Sequence, residues 1–392
     1  MKSDAFIVEG TVCLGNELLE DGFVAIRDGK IEKAGRKGGH ALPDAETITF
    51  SHPVYIVPGF IDVHIHGAGG ADTMDATPEA LDTIAKTLAK EGTTAFLATT
   101  ITQSPQAIEK ALANAASYIK EQNAPGKAEV VGIHLEGPFI NAKRKGAQPE
   151  EYILEPDVET FQKWQNLAEG HIRLVTMAPE CPNGLELVHY LSKNRCIASI
   201  GHSDADYADV KAAVEAGATH VTHLFNGMKG IHHREPGTAG AALLFDELTV
   251  ELIADGIHVR PEMFRLILQA KGLDRVVLIT DAMRAKCLKN GVYDLGGQDV
   301  HVRDGKALLS DGTLAGSILK MKDGIKNILA HTSLTLPEAV KLASENPARE
   351  LGLFDRKGSL EAGKDADLVV LNEQYEPILT ICRGAIAFKG EF

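Results

Sequence analysis

The sequence predicts an α/β protein, a (β/α)8 barrel of the TIM type carrying a small β-sandwich domain formed from both chain termini. Three observations predict it. Eight apolar, β-rich runs alternate with helix-like stretches through the middle of the chain, the pattern of a parallel sheet. Both ends of the chain are β-rich, and neither is long enough to make a good core alone. A length of 392 residues suits one large barrel plus a smaller unit.

Taken in order, Ala5–Val8, Thr11–Leu14 and Gly22–Arg27 read as short strands, with Asp28-Gly29 as a turn. The expected barrel strands are Tyr55–Val63, Thr94–Ala98, Val130–Leu135, Ile172–Met177, Cys196–Ile200, His220–His223, Leu248–Ala254 and Val276–Thr280. Eight is the number that closes such a barrel. Stretches such as Pro78–Glu91, Pro105–Gln122 and Asp206–Ala216 supply helices between them. Residues 292–312 break the alternation and read as a hairpin-rich insertion after the eighth strand. Leu336–Leu351 is a last helical stretch. Asp367–Leu371 and Ile378–Phe388 then return to β character, with Arg383-Gly384 as a turn. Chain termini often lie close together, so residues 1–53 and 362–392 are expected to pair into one domain beside a barrel spanning 54–361.

Composition bounds the function. Hydrophobic residues make up 44% of the chain and charged residues 24%, an ordinary globular balance. A chain this long buries a large core without help, so a metal here would serve chemistry rather than scaffold stability. The net charge of −14 argues against a nucleic-acid partner or an anionic membrane surface. It leaves room for a small anionic substrate, since one arginine can hold a phosphate. Cys13, Cys181, Cys196, Cys287 and Cys382 are scattered, odd in number and form no CxxC, which fits a reducing compartment. The start, MKSDAFIVEG, has no apolar signal core, and no run approaches the ~18 apolar residues of a membrane span. A cytoplasmic protein is expected.

Active sites of this fold lie at the C-terminal ends of the barrel strands. The first strand runs into Asp62-Val63-His64-Ile65-His66, and residues i and i+2 of a strand share a face, so His64 and His66 converge. Alone this is a weak metal signal, and two polar strand residues bonded to backbone are the bland alternative. The third strand ends at Glu136, before a Gly-Pro turn, where a carboxylate can bind one metal or bridge two. His134 lies deeper and suits a supporting role. His202 follows the fifth strand, His223 ends the sixth and Asp281 follows the eighth. Each has an ordinary reading as a rim residue or helix cap. Their conjunction at one end of one barrel points to a metal-dependent hydrolase, with imidazoles and carboxylates suited to zinc or iron and tolerant of manganese.

A divalent ion lowers the pKa of bound water from about 15.7 toward neutrality, giving hydroxide as nucleophile. Asp281 is the candidate general base and acid. His258, after the seventh strand, is a candidate to donate to the carbonyl oxygen or hold substrate, against the reading of a loop histidine without a role. The polar loop 225–237 carries Asn226, Gly227 and Arg234. Arg234 suits a phosphate, although pairing with Glu235 is an equal alternative.

HLEGPF (134–139), GHSDA (201–205), THLFNGM (222–228), REPGTAG (234–240), ADGIHV (254–259), ITDAM (279–283) and LAGS (314–317), together with PGFIDVHIHG, resemble the amidohydrolase superfamily. Within it, they resemble the N-acetylglucosamine-6-phosphate deacetylase family, in that family's order over most of the chain. The resemblance implies hydrolysis of an acetamide to give glucosamine 6-phosphate and acetate. It implies a main metal on Glu136, His202 and His223, with Asp281 as general base and acid and His258 at the substrate carbonyl. It implies phosphate contacts from Arg234 and the Asn226-Gly227 backbone, completed by a second subunit of a homodimer. Ala147 joins the substrate-contacting set. Intact His64 and His66 allow one or two ions per subunit. Two features depart from the pattern or lie beyond it. Gly227 stands where the family often has alanine, and the basic loop Met283–Cys287 has no assigned role. The alternatives are a relative acting on another N-acyl or cyclic amide, and a barrel kept only as a scaffold. No lysine stands at a strand end to serve as the carboxylated ligand of many cyclic amidases, and all six ligand positions keep competent residues.

Overall fold

The computed structural model describes residues 5–37 and 45–390. Residues 1–4, 38–44 and 391–392 belong to the expected small domain, and 1–4 to the stretch read for a signal; they lie outside the described residues. Strands Phe60–Ile65, Thr93–Thr99, Glu129–Glu136, Ile172–Met177, Ile197–Ile200, His220–Val221, Thr249–Ile253 and Val276–Ile279 pair in chain order, all parallel. The ring closes where Asp281 N donates to His64 O at 2.8 Å and Ile65 bridges Ala282. The helices start where their caps dictate. Thr77 and Ser104 accept from Ala80 N and Ala107 N at the heads of Pro78–Ala89 and Pro105–Glu121, each with proline in its first turn. Asp206 and Asp209 form a capping box on Tyr207–Ala216, which ends at Gly217 in the left-handed region.

Two expected elements are corrected. Tyr55–Val63 is two strands. Tyr55–Pro58 pairs with Leu368–Leu371 in the terminal sheet, and the barrel strand starts at Phe60. The hand-over is at Gly59, where a Cβ would stand 2.2 Å from Thr94 Oγ1, so no side chain fits. Leu336–Leu351 is likewise broken, into Leu336–Lys341 and Glu345–Glu350, because Ser344 leaves the helical region and Pro347 cannot donate to continue the first helix.

The chain ends share one eight-stranded sheet built from Ala5–Leu14, Glu17–Arg27, Lys30–Arg36, Glu46–Ile48, Tyr55–Pro58, Leu368–Leu371, Pro377–Cys382 and Ala385–Lys389. Ala5–Val8 and Thr11–Leu14, expected as two strands, are one strand with an irregularity between Gly10 and Val12. The sheet doubles over a shared core, bringing Val24, Ile26 and Ile31 onto Leu368, Leu379 and Ile381. Ala366 N donates to Gly29 O across that fold. A buried ionic cluster ties this layer to the barrel. Lys357 Nζ stands 2.5 Å from Asp367 Oδ2, 2.6 Å from Glu129 Oε2 and 3.2 Å from Asp365 Oδ2. Arg356 adds contacts of 3.0 Å to Glu129 and 2.8 Å to Asp365.

The insertion forms the expected antiparallel meander, Gly291–Leu295, Gln298–Arg303 and Lys306–Leu308. Its first turn leans over the barrel mouth, where Gln298 Nε2 donates to Ala147 O at 2.7 Å and Gln103 Nε2 to Gly296 O at 3.0 Å. No helix among the described residues is long and apolar enough to cross a membrane.

Candidate active site and metal centre

A cavity of about 180 Å³ opens at the C-terminal mouth of the barrel. His66, Glu136, His202, His223 and Asp281 form its floor. Glu136 is the last residue of its strand, and His202, His223 and Asp281 each lie two residues past theirs.

His202 Nε2 and His223 Nε2 lie 3.2 and 3.3 Å from Glu136 Oε1, and 3.1 Å from each other. The far side of each ring fixes its tautomer. His202 Nδ1 is 2.8 Å from Arg144 O, and His223 Nδ1 is 3.0 Å from Asn226 O. A carbonyl only accepts, so both Nδ1 atoms carry the proton and, in neutral rings, both Nε2 atoms present lone pairs. Three lone-pair atoms therefore converge with no proton between them, which is the donor set of a cation.

A second group adjoins the first. His64 Nε2 is 3.3 Å from Glu136 Oε1 and 3.4 Å from Asp281 Oδ1. Its Nδ1 lies 2.9 Å from Glu251 Oε2, and its buried Nε2 has no hydrogen-bond partner. His66 Nε2 is 3.2 Å from Glu136 Oε2 and 3.3 Å from Asp281 Oδ1, while its Nδ1 is buried without a partner. The two carboxylate oxygens of Glu136 thus span both groups, and the expected same-face pair His64 and His66 is in place. Burial pushes the Glu136 carboxyl up, but the imidazoles packed around it, His64 foremost, outweigh it and hold the group well below the usual range. Burial also raises Asp281, and the neighbouring His64 and His66 rings bring it below its ordinary value. Both carboxylates are held ionised, the form that ligates a cation or takes a proton.

These positions are strained. His202, His223 and Asp281 have φ of 48°, 29° and 48°, in the left-handed region that costs a non-glycine residue of order 1–3 kcal/mol. Neighbouring strands over-determine them. His223 N donates to Glu251 Oε2 and Leu224 N to Glu251 O, and Asp281 is held by His64 O on one side and Ser317 N on the other.

Of the expected substrate residues, Ala147, Asn226, Gly227 and His258 line the cavity. His258 Nδ1 lies 2.7 Å from Asp255 Oδ2. Burial lowers its pKa, but the Asp255 hydrogen bond and charge more than offset this, leaving it raised. Gly227 has φ +59°, and a Cβ there would stand 3.0 Å from His202 Nδ1, so glycine here relieves both the backbone and the ring. Arg234 is not brought to the cavity. It is exposed, with Nη1 2.7 Å from His233 Nε2, and it does not pair with Glu235, which accepts from Tyr207 N and Gly237 N instead. The basic loop after Asp281 is scaffold. Arg284 reaches Asp75 at 2.8 Å, and buried Lys286 reaches buried Glu91 at 2.6 Å. His134 lies beneath the site as expected, its Nε2 2.7 Å from Thr176 Oγ1.

Two residues escape sequence reasoning. Gln148 donates to Glu136 Oε2 at 2.7 Å and accepts from Thr102 N at 2.8 Å, and nothing in its loop marks it. Glu251 had a legible signal: a lone carboxylate in the run Thr249–Ile253, every residue of which is buried. The insertion adds Leu295 to the cavity wall.

Residues 55–387 match the amidohydrolase family model. The chain is 50% identical to the N-acetylglucosamine-6-phosphate deacetylase of Bacillus subtilis over 99% of this chain and 98% of that one. It is 37% identical to the N-acetylgalactosamine-6-phosphate deacetylase of Escherichia coli O157:H7, over 84% and 87%. The structure of a mutant N-acetyl-D-glucosamine-6-phosphate deacetylase from Mycobacterium smegmatis, in complex with N-acetyl-D-glucosamine-6-phosphate, superposes with a TM-score of 0.91 at 34% identity, covering 98% and 99%. The chain belongs to the amidohydrolase family, within its N-acetylglucosamine-6-phosphate deacetylase branch.

Proposed function

We propose that this protein hydrolyses the acetamide of N-acetyl-D-glucosamine 6-phosphate to D-glucosamine 6-phosphate and acetate. The observation that carries the reading is the meeting of Glu136, His202 and His223 beside Asp281 on the floor of one cavity. A divalent ion bound there supplies Lewis-acid polarisation of the carbonyl and acidifies a water. Glu136, His202 and His223 would hold the first ion; His64 and His66, with Asp281 and Glu136, would hold a second. The first position fills first, because both of its rings are fixed by backbone carbonyls whereas His66 has no partner on Nδ1. Zinc and iron suit this donor set best.

Asp281, held ionised, takes a proton from the attacking water at a carboxylate oxygen. The water oxygen bonds to the carbonyl carbon, the C–N bond breaks, and Asp281 returns the proton to the leaving nitrogen. His258, kept protonated by Asp255, donates to the oxygen on which charge develops. The Asn226 and Gly227 amides, with Ala147 also lining the cavity, hold the sugar phosphate. Arg234, exposed on the same loop, completes the phosphate contact across a homodimer.

The test is acetate release by purified protein of known metal content. Release should require the 6-phosphate and vanish after chelation or in Asp281→Asn. A metal-loaded protein that releases nothing from this substrate would sink the assignment. The likeness to the E. coli galactosamine enzyme makes the N-acetylgalactosamine 6-phosphate isomer the second substrate to run, and the ratio of the two kcat/KM values decides between them.

A further inference from the structure

Glu251 is fully buried on the seventh strand. It does not line the cavity, although it groups with His64 and His134 as a possible donor set, and it touches both halves of the centre. Its Oε2 accepts from His64 Nδ1 at 2.9 Å and from the backbone N of His223 at 2.9 Å. Its own carbonyl accepts from Leu224 N at 3.0 Å, so side chain and backbone together grip the turn in which His223 takes its left-handed φ of 29°. Oε1 is held in turn by His220 Nε2 at 3.2 Å. His220 Nδ1 meets Glu350 Oε1 at 3.1 Å, and the other Glu350 oxygen accepts from Thr249 Oγ1 at 3.1 Å. Every partner in this chain is used, and the carboxylate cannot rotate without breaking several bonds at once.

We infer that Glu251 is a positioning residue that sets both halves of the centre. It fixes the tautomer of His64, so that Nε2 is a lone pair, and it clamps the strained turn that aims His223. The inference rests on the reading of the site as a metal centre. The chemistry is that of a carboxylate behind a ligating imidazole, where loss of the outer partner weakens binding roughly 10- to 100-fold. One carboxylate serving two ligands links the two positions: loss of the whole side chain disturbs both, although it lies outside the cavity.

The two functions of Glu251 separate by substitution. In Glu251→Gln the amide oxygen still accepts from His223 N, while the amide nitrogen faces His220, which can shift its proton to Nδ1. The turn is kept and the negative charge behind His64 is lost. Glu251→Leu loses both. Zinc affinity is measured by chelator competition and zinc content by elemental analysis, together with melting temperature and 15N-histidine spectra of the zinc-loaded protein, with His64 identified from a His64→Ala sample. The expected result is a fully folded Glu251→Gln protein in which the more weakly held zinc binds roughly 10- to 100-fold less tightly and the first is retained. Glu251→Leu should weaken both and let the His64 signal lose its single Nδ1–H form. Folded variants that bind zinc like the wild type, with the His64 spectrum unchanged, overturn the inference. A wild-type protein that takes up no divalent ion overturns the metal-centre reading, and this inference with it.

Discussion

Replacing Lys357 with methionine removes the cation at the centre of the cluster between barrel and terminal sheet. Lys357 is 1% exposed and faces Asp367, Glu129 and Asp365. Arg356 still reaches Glu129 and Asp365 after the change, so only Asp367 loses its close side-chain cation. The cost is therefore that of one broken buried pair, about 3–5 kcal/mol, rather than three. Unfolding entropy near ~2.1 cal/mol/K per residue gives roughly 0.8 kcal/mol/K for this 392-residue chain, so the melting temperature should fall by about 4–6 °C. Trp164, the single tryptophan and fully buried, reports the transition by fluorescence.

The pH dependence fixes the cause. Burial pushes the Glu129 and Asp365 carboxyls up, but in Glu129 the charges of Lys357 and Arg356, and in Asp365 the Lys30 hydrogen bond with those same charges, bring them below their ordinary 4.5 and 3.8. A folded pKa that is depressed gives stability that is present above the unfolded value and lost as pH falls through the folded one. The wild type therefore holds this stability at pH 7 and loses it in acid. The variant lacks the Lys357 share of it at every pH. The gap in melting temperature should be widest near pH 7, persist at pH 5, and narrow as pH falls below the ordinary 4.5 and 3.8 of these carboxyls. Glu129 and Glu136 stand at opposite ends of one strand, seven residues or ~23 Å apart, so acetate release at 25 °C should stay within about twofold of wild type. A fall under 1 °C, or a gap that fails to narrow below about pH 4.5, would refute the reasoning.

Further expectations concern the site. Asp281→Asn should lower kcat about 10²- to 10⁴-fold with KM little changed, and a loss under tenfold removes Asp281 from proton transfer. Asp255→Asn should move the alkaline limb of the kcat/KM profile to lower pH. Asp255 raises the pKa of His258, and donation by the protonated ring is lost once pH exceeds that pKa; an unmoved limb rules out that role. Arg234→Ala should raise KM for the phosphorylated sugar roughly tenfold or more, the worth of a charge-assisted hydrogen bond, and leave the residual rate on the unphosphorylated sugar unchanged. Equal effects on both sugars would mean that Arg234 does not meet the phosphate.

The sequence by itself determined the barrel, the insertion, the pairing of both chain ends in one sheet, and five of the residues on the cavity floor. Each of these is written locally. A buried parallel strand is a short apolar run, its alternation sets which face His64 and His66 share, and the end of the run marks the mouth of the barrel. Only the tertiary structure decided how those residues meet. His64, Glu136, His202, His223 and Asp281 come from five strand ends spread over more than half of the chain, and the distances among their ligating atoms exist only once the ring closes between the first and eighth strands. Pairwise contacts likewise decided that Gly59 hands the chain from one sheet to the other, that Gln148 reaches Glu136, and that Glu251 stands behind both His64 and His223. They also left Arg234 outside the cavity of its own chain, since its reach depends on where a polar loop lies rather than on any periodicity. Hydrophobic pattern is a property of neighbours in sequence, whereas a hydrogen bond is a property of neighbours in space, and the chemistry proposed for this protein is made of the second kind.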